Sequence, residues 1–177
     1  REKLYQFPGF YLRKVTKRIY PHDNLGHLIG FMGEVNLKKI KEDNFYIKGD
    51  LLGVSGIEAS YENILRGKKG MSIRLVDVYN RTQGKFNNGE YDTLAVRGKN
   101  LISTIDIELQ NYGNQLLENK SGSIVAIDPR NGEILSLVSS PNFDPKKLSG
   151  KNRSYNYKKL INDNSKPMFN RALLGEY

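Results

Sequence analysis

Two short apolar runs near residue 130 constrain the fold more than any other feature of the sequence. Ile124–Ile127 and Ile134–Val138 are apolar at nearly every position, and the six residues between them include an Asn-Gly turn at Asn131 and Gly132. Since both faces of each run are apolar, the pattern predicts a β-hairpin at the centre of a sheet covered by helices.

Helix signals surround this hairpin. Asp106 is placed to cap a helix on which Ile105, Leu109, Tyr112, Leu116 and Leu117 share one face, and Asn36 is placed to cap a short helix from Leu37 to about Asp43. Ser55 and Glu58 have the spacing of a capping box, which predicts a helix from Gly56 to Arg66 that ends at a left-handed Gly67.

Short strand candidates complete the pattern. Met71–Leu75 alternates apolar and polar residues and continues through Val76 and Val78, while Thr93–Val96 and Leu101–Ile105 are shorter candidates. Asn87-Asn-Gly89 consists of residue types that favour a turn. Helices and strands in this irregular order predict an α+β fold.

Composition excludes several classes of site. The chain of 177 residues has no Cys, so disulfides, thiolate metal sites and cysteine nucleophiles are excluded. No apolar run approaches the roughly 20 residues that cross a bilayer. The net charge of +9 is uneven: +7 over residues 1–100, −4 over 101–145 and +6 over 146–177. Such a pattern is typical of an anionic partner or of an ordinary solvated surface.

Several segments together resemble one family. The segment from Ser123 to Pro145 resembles the first hairpin of penicillin-binding transpeptidase domains, and Leu101–Gln110 resembles the strand and helix that open that domain. The pedestal motifs of class B penicillin-binding proteins, most similar to the elongation type, are matched by Arg18-Ile-Tyr-Pro21, Leu28-Ile-Gly-Phe-Met-Gly33, Gly53-Val-Ser-Gly-Ile-Glu58 and Tyr61-Glu-Asn-Ile-Leu-Arg-Gly67. The resemblance covers nearly the whole chain.

The catalytic motifs of that family are not carried by this chain. The family uses S-x-x-K, then S-x-N, then K-[ST]-G, and no Ser here is followed by Lys three positions later. Lys120-Ser-Gly122 precedes both Ser140-Pro-Asn142 and Ser154-Tyr-Asn156, so these short matches occur in the wrong order and are interpreted as chance. We therefore expect no catalytic residue in this chain, and no reaction with penicillin, because the acyl-enzyme needs a Ser activated by that Lys.

The resemblance implies a two-part organisation. Residues 1–98 would form a non-catalytic pedestal, and residues 99–177 would form the opening helix and hairpin of a transpeptidase domain that is cut, at Tyr177, shortly before its nucleophile. Because the chain starts at Arg1, we also expect upstream sequence with a membrane anchor, which would place the parent protein on the extracytoplasmic face of the bacterial inner membrane. Hairpin strands without their neighbours would be exposed, which favours self-association of the fragment.

The resemblance also implies the chemistry and partners of the parent. Peptidoglycan D,D-transpeptidases cross-link stem peptides, are acylated by β-lactams and need no cofactor. Pedestals of this family hold the catalytic domain away from the membrane and contact the polymerising glycosyltransferase and cell-shape scaffold proteins. The chain itself would then be a structural and interaction module. The alternative is a stand-alone basic module that binds anionic cell-wall or membrane polymers through its first 100 residues.

The candidate site residues are structural ones. They lie in the pedestal motifs, where Arg18 is a candidate for a buried ion pair with Glu58, and they are Arg18, Tyr20, Gly53, Ser55, Gly56 and Glu58. His22 and His27, with Asp23 and Glu34, make a poor metal site because ligand number and spacing are unfavourable. The aromatic and basic stretch from Tyr5 to Tyr20 lacks a recognised nucleic-acid motif, so no nucleic-acid partner is expected.

Overall fold

A computed structural model describes residues 18–79, 81–150 and 152–176. Most of the Tyr5–Tyr20 stretch and the terminal Tyr177 lie outside these described residues. The described part combines helices with small antiparallel sheets, so the predicted α+β class is confirmed. The α-helices are α1 Gly26–Ile29, α2 Leu37–Glu42, α3 Gly56–Ser60, α4 Glu62–Leu65, α5 Ile107–Leu116, α6 Arg153–Ile161 and α7 Arg171–Leu174.

Six strands pair two by two. The pairs are β1 Met32–Glu34 with β2 Leu51–Gly53, β3 Arg74–Val76 with β4 Thr82–Lys85, and β5 Gly122–Ile127 with β6 Ile134–Ser140. All three pairs are antiparallel. The third pair is the hairpin expected from the apolar runs, and Gly132 at its turn has a φ of 77°, the left-handed conformation that glycine adopts without strain.

Helix α5 packs on β6, but not through the apolar face seen in the sequence. Tyr112 and Leu116 are 57% and 44% exposed, whereas Gln110 and Gly113 are buried. The Gln110 side chain accepts a hydrogen bond from the Leu137 amide at 2.8 Å and donates to the Leu137 carbonyl at 2.9 Å. A Cβ on Gly113 would lie 2.8 Å from Val138 Cγ2, so glycine is what permits the close approach.

The outer positions of the hairpin remain open. Val125, Ile127 and Ile134 are 44%, 55% and 38% exposed, and no third strand joins this sheet within the described residues. This exposure agrees with the expectation for hairpin strands that lack neighbours. Self-association of the chain stays a prediction.

A small core joins early and late parts of the chain. Phe31, which precedes β1, packs with Phe143 and Leu148, and the partly buried Leu160 and Met168 extend this cluster. Leu148 belongs to a 3₁₀ helix, Pro145–Leu148, and Leu160 to α6. The contact crosses the boundary predicted between residues 98 and 99, and that boundary stays a prediction.

Four predicted elements differ from the structure, and one is the Thr93–Val96 strand, of which only Thr93 and Val96 make isolated bridges, to Met71 and Lys68. The expected helix from Gly56 to Arg66 is divided into α3 and α4, because Tyr61 between them has φ −112° and ψ 18°. The 71–78 strand is reduced to β3, since Met71 makes only an isolated bridge to Thr93. Residues 101–105 are not a strand: that segment meets the β6 edge through a hydrogen bond from the Thr104 hydroxyl to the Ile134 carbonyl, 2.7 Å long.

Other local predictions are confirmed. Asn36 Oδ1 accepts from the Lys39 amide at 2.8 Å, and Asp106 accepts from the Glu108 and Leu109 amides. Gly67 has a φ of 68° after α4. In the described ranges no helix has both the length and the apolar character needed to cross a membrane.

Candidate functional site

The structure brings most of the sequence-predicted site residues together. Arg18 and Tyr20 lie just before α1, Gly53 ends β2, and Glu58 is buried in α3. We call Arg18, Tyr20, Gly53, Gly56 and Glu58 the Arg18–Glu58 cluster. It joins the segment before α1 to the β2–α3 connection.

An ion pair is at the centre of this cluster. Arg18 Nη2 donates to Glu58 Oε2 at 2.8 Å, and Arg18 Nε lies 2.7 Å from Glu58 Oε1. The Glu58 side chain is 5% exposed and that of Arg18 is 39% exposed. Only the Nη2 contact is aligned as a hydrogen bond, while Nε is close to the second carboxylate oxygen without that alignment, so the pair combines one hydrogen bond with a close charge contact. The ion pair expected from the sequence is therefore present, while its contribution to stability stays a prediction.

Tyr20 supplies a neutral neighbour to this pair. The residue is 3% exposed, and burial raises the pKa of its hydroxyl to about 12, helped by the negative charge of Glu58. Although this hydroxyl is near Glu58 and the main chain of Met32, it makes no well-aligned hydrogen bond with a described residue. Tyr20 thus stays protonated and fills apolar space beside the ion pair.

The predicted capping box at Ser55 and Glu58 is wrong. Ser55 does occupy the N-cap position of α3, but its side chain makes no capping hydrogen bond to the described chain. The Glu58 carboxylate does not return to the helix end because Arg18, 40 residues away, pairs with it. A long-range charge interaction has replaced the local one.

Three glycines allow two backbone segments to meet beside the cluster. A Cβ on Gly56, where φ is +59°, would lie 2.4 Å from the Leu28 carbonyl oxygen. A Cβ on Gly53 would lie 2.0 Å from the main-chain carbonyl oxygen of Glu58. Gly30, which was not among the predicted site residues, has φ +80°, and a Cβ added there would lie 1.9 Å from the main-chain carbonyl oxygen of Ser55. Its only signal in the sequence was membership of the motif Leu28–Gly33.

A second polar cluster, which sequence reasoning missed, fixes β2 against α4. Glu62 accepts hydrogen bonds from the Tyr46 hydroxyl at 3.0 Å and from the Gly53 amide at 2.8 Å. Arg66 donates to Asp43 at 2.7 Å, and this hydrogen bond lowers the pKa of the Asp43 carboxyl. The partners of these bonds lie up to 23 residues apart, so no local pattern marks them.

The formal matches to catalytic motifs have ordinary main-chain partners. The Ser140 hydroxyl donates to the Leu117 and Lys120 carbonyls at 3.1 and 2.8 Å, and Lys120 Nζ donates to the Leu116 carbonyl at 2.7 Å. Within the described residues, both side chains therefore serve main-chain hydrogen bonds between α5 and the hairpin. In the part of the chain that the structure describes, no three His, Asp or Glu side chains cluster closely enough to hold a metal ion.

His27 connects the start of the described chain to the segment after β6. Its Nε2 lies 3.4 Å from the Pro141 carbonyl oxygen, and its ring packs edge-on against Phe143 with centroids 5.1 Å apart. Burial lowers the pKa of His27 below its ordinary 6.5; the charge of Arg171 acts in the same direction, and the Pro141 and Pro167 carbonyls oppose it. The neutral ring is therefore the form that the folded chain prefers.

This contact predicts a pH dependence of stability. Since the folded-state pKa of His27 is below the unfolded value, the unfolded chain binds more protons between the two values, and stability rises with pH through that window. The contribution is complete above about pH 6.5 and is lost as the pH falls through the folded-state pKa. In urea denaturation from about pH 7 down to about pH 5, the free energy of unfolding should therefore fall less for His27→Gln than for the unchanged chain. His22→Gln, at an exposed position, is the control, and an equal slope in His27→Gln and the unchanged chain would contradict the assignment.

Comparison with known proteins agrees with this arrangement. A family model described as the penicillin-binding protein dimerisation domain matches residues 1–103. The chain is 36% identical over 179 residues to the peptidoglycan D,D-transpeptidase MrdA of Acinetobacter baumannii, covering 99% of this chain and 26% of that protein. The chain thus spans about a quarter of the length of the curated relatives it matches.

Solved structures share the fold. The penicillin-binding protein PBP2 of Helicobacter pylori, solved in complex with MreC, superposes with a TM-score of 0.80 at 30% identity over 96% of this chain and 32% of that one. A chain of a peptidoglycan synthase complex that coordinates polymerization and crosslinking superposes with a TM-score of 0.74 at 28% identity, over 97% of this chain and 32% of that one.

Proposed function

This chain belongs to the penicillin-binding proteins that carry the dimerisation domain, and on that premise we propose that it is part of a peptidoglycan D,D-transpeptidase in which it serves as a structural and interaction module. The observation that carries the proposal is its similarity, over 96% of its length, to the PBP2 of Helicobacter pylori. Residues 1–98 act as the pedestal and residues 99–177 as the opening of the transpeptidase domain.

The parent activity follows from the relatives. A transpeptidase of this class would join peptidoglycan stem peptides on the extracytoplasmic side of the membrane and would be acylated by β-lactams. The residues of this chain contribute the support and not the nucleophile, because the sequence holds no S-x-x-K. The rigid ion pair between Arg18 and Glu58 suits such a supporting role.

The solved relatives support two partner classes for this module. One was solved with the protein MreC and another belongs to a peptidoglycan synthase complex, so we propose a cell-shape scaffold and a polymerising glycosyltransferase as partners. The region from residue 71 to residue 96 suits such a contact. It exposes Val78 and Leu94 almost fully, at 95% and 91%, and Val76 at 55%, so this short region offers several apolar side chains that a partner could bury.

Calorimetric titration with the extracytoplasmic part of an MreC-type scaffold tests the proposal. The unchanged chain should bind, and Leu94→Asp should weaken binding by about tenfold or more, because a charge would be buried against an apolar surface. Ile102→Asp is the matched control, since Ile102 is 94% exposed and lies outside the 71–96 region. Absence of binding by the unchanged chain would contradict the scaffold role. Equal weakening by both variants would contradict the assignment of the contact to residues 71–96.

A further inference from the structure

The last described part of the chain has an unusual distribution of charge. Every ion pair between described residues lies between residues 18 and 130. The cations of the described residues beyond 144 have no carboxylate in ion-pair contact, and they are Lys146, Lys147, Arg153, Lys158, Lys159, Lys166 and Arg171. Among the residues that the structure describes, these cations are therefore not neutralised by ion pairs.

The nearby carboxylates are engaged elsewhere. Asp144 Oδ1 accepts from the Lys146 amide at 2.8 Å, where it caps the 3₁₀ helix Pro145–Leu148. Asp163 Oδ1 accepts from the Ser165 amide and hydroxyl at 2.9 and 2.7 Å. These bonds to Ser165 lower the pKa of Asp163, with a smaller contribution from the charge of Lys159. Asp144 thus serves a cap and Asp163 a turn, and neither is in ion-pair contact with a described lysine, although the charges of Asp163 and Lys159 interact at a longer distance.

The lysines share a surface with an exposed aromatic ring. On α6, Tyr155, Lys158 and Lys159 follow the i, i+3, i+4 spacing of one helical face. All three are exposed, Tyr155 to 71%. The adjacent 3₁₀ helix adds the exposed Lys146 and Lys147, and it is held to α6 by Asn156, whose side-chain amide donates to the Lys147 carbonyl at 2.7 Å. We call Lys146, Lys147, Tyr155, Lys158 and Lys159 the α6 basic face.

The opposite side of α6 is already occupied. Leu160 packs on the core of Phe31, Phe143 and Leu148, and the ring of Tyr157 lies 5.9 Å from that of Phe31. A helix that lies on a membrane needs its apolar face free to enter the lipid. Because the core takes that face in α6, a lipid surface is not the partner that this helix fits.

We propose that the α6 basic face binds the carboxylate-bearing glycopeptide polymer of the cell wall. Lysine ammonium groups are compact point charges that suit dispersed carboxylates, and the exposed Tyr155 ring offers a flat apolar surface with a polar edge to a sugar ring. The inference rests on the proposed function, since a cell-wall enzyme is the setting in which this polymer is present. Since α6 lies within residues 99–177, the face would hold the polymer on the first part of the proposed transpeptidase domain.

Co-sedimentation of the 177-residue chain with insoluble peptidoglycan sacculi tests this proposal. The chain should pellet with sacculi and be released as salt rises from about 50 to about 300 mM, because screening weakens contacts between exposed charges. The double variant Lys158→Glu/Lys159→Glu should lower the apparent affinity by roughly fivefold or more. Sacculi whose carboxylates have been converted to neutral amides with a carbodiimide and ethanolamine should bind less, because the negative charge is removed while the polymer stays insoluble.

A matched control has the same change in net charge. Lys41→Glu/Lys48→Glu alters two exposed lysines, one in the last turn of α2 and one between α2 and β2, that have no ion pair with a described residue. Binding should stay within about twofold of the unchanged chain. Thermal melting of both variants shows whether they are folded, and Lys146→Gln/Lys147→Gln gives a milder second test of the same face.

The other outcomes would overturn the proposal. These are no pelleting with sacculi, equal loss in the Lys41 and Lys48 control, equal binding to the amide-converted sacculi or to phosphatidylglycerol vesicles, and stronger binding to a single-stranded oligonucleotide. Scaffold binding is measured separately with Leu94→Asp, so failure of the α6 basic face with scaffold binding intact would leave the proposed function standing. If the unchanged chain bound neither sacculi nor the scaffold, the proposed function itself would be contradicted.

Discussion

Replacing Arg18 with Ala should lower the free energy of unfolding by roughly 2–3 kcal/mol, because it leaves the buried carboxylate of Glu58 without its cation. Removing one partner of a fully buried pair commonly costs about 3–5 kcal/mol, and the partial exposure of the Arg18 side chain, 39%, places this pair below that range. Urea denaturation with an unchanged m-value is the measurement.

A double-mutant cycle isolates the interaction from other effects of the substitution. In a chain that already carries Glu58→Gln, the further change Arg18→Ala should cost much less, since no buried charge then needs the guanidinium. Lys38→Ala is the matched surface control: Lys38 is 3.9 Å from Glu42 and 85% exposed, so its loss should barely change stability. Equal effects of Arg18→Ala in both backgrounds would show that the ion pair adds nothing.

The second large effect is expected at Gly56. Gly56→Ala should destabilise the chain by about 3 kcal/mol or more, because about 1–2 kcal/mol of left-handed backbone strain is added to a collision. The new Cβ would lie 2.4 Å from the Leu28 oxygen and 2.7 Å from the Gly30 amide nitrogen. Both contacts are to backbone atoms, which cannot move aside as the end of a flexible side chain can. Denaturation midpoints or thermal melting would measure the loss.

Substitutions at two other glycines measure the two causes, backbone strain and steric collision, one at a time. Gly49 has φ +91°, and a Cβ added there would have no described atom within 4 Å, so Gly49→Ala should show the backbone strain alone, about 1 kcal/mol. Gly53 has no left-handed φ, but a Cβ added there would lie 2.0 Å from the main-chain carbonyl oxygen of Glu58. Gly53→Ala should therefore show the effect of a collision with backbone alone. If Gly56→Ala were no worse than Gly49→Ala, the close approach of the two segments would not be important for stability.

Features that depend on a few consecutive residues were predictable. The caps at Asn36 and Asp106 and the hairpin around Gly132 each need only neighbours within about six residues, and all three are present. Short-range hydrogen bonds and turn geometry are set by consecutive residue types, so a single sequence reveals them. Helix α6 was not predicted, because its short amphipathic pattern is interrupted by lysines.

Features that depend on distant partners were not predictable in the same way. Five apolar residues in and next to α5 share the predicted face, but only Ile105, Leu109 and Leu117 are partly buried, while Tyr112 and Leu116 are exposed. The buried contact with β6 is made by Gln110, through hydrogen bonds to Leu137, and by Gly113, whose missing Cβ permits the close approach. The resemblance of the motifs singled out Arg18 and Glu58, yet local spacing alone assigned Glu58 to the capping box.

The sequence by itself determined the α+β class, the family resemblance, the hairpin and the absence of the S-x-x-K motif, because each of these is a property of residue types at fixed local spacing. Only the tertiary structure decided which group Glu58 pairs with, why Gly30 and Gly56 must lack a Cβ, and that α6 leaves its lysines without carboxylate partners among the described residues. Those outcomes depend on how segments far apart in the chain meet, and the free energy of such contacts is set by burial and geometry that no local pattern contains.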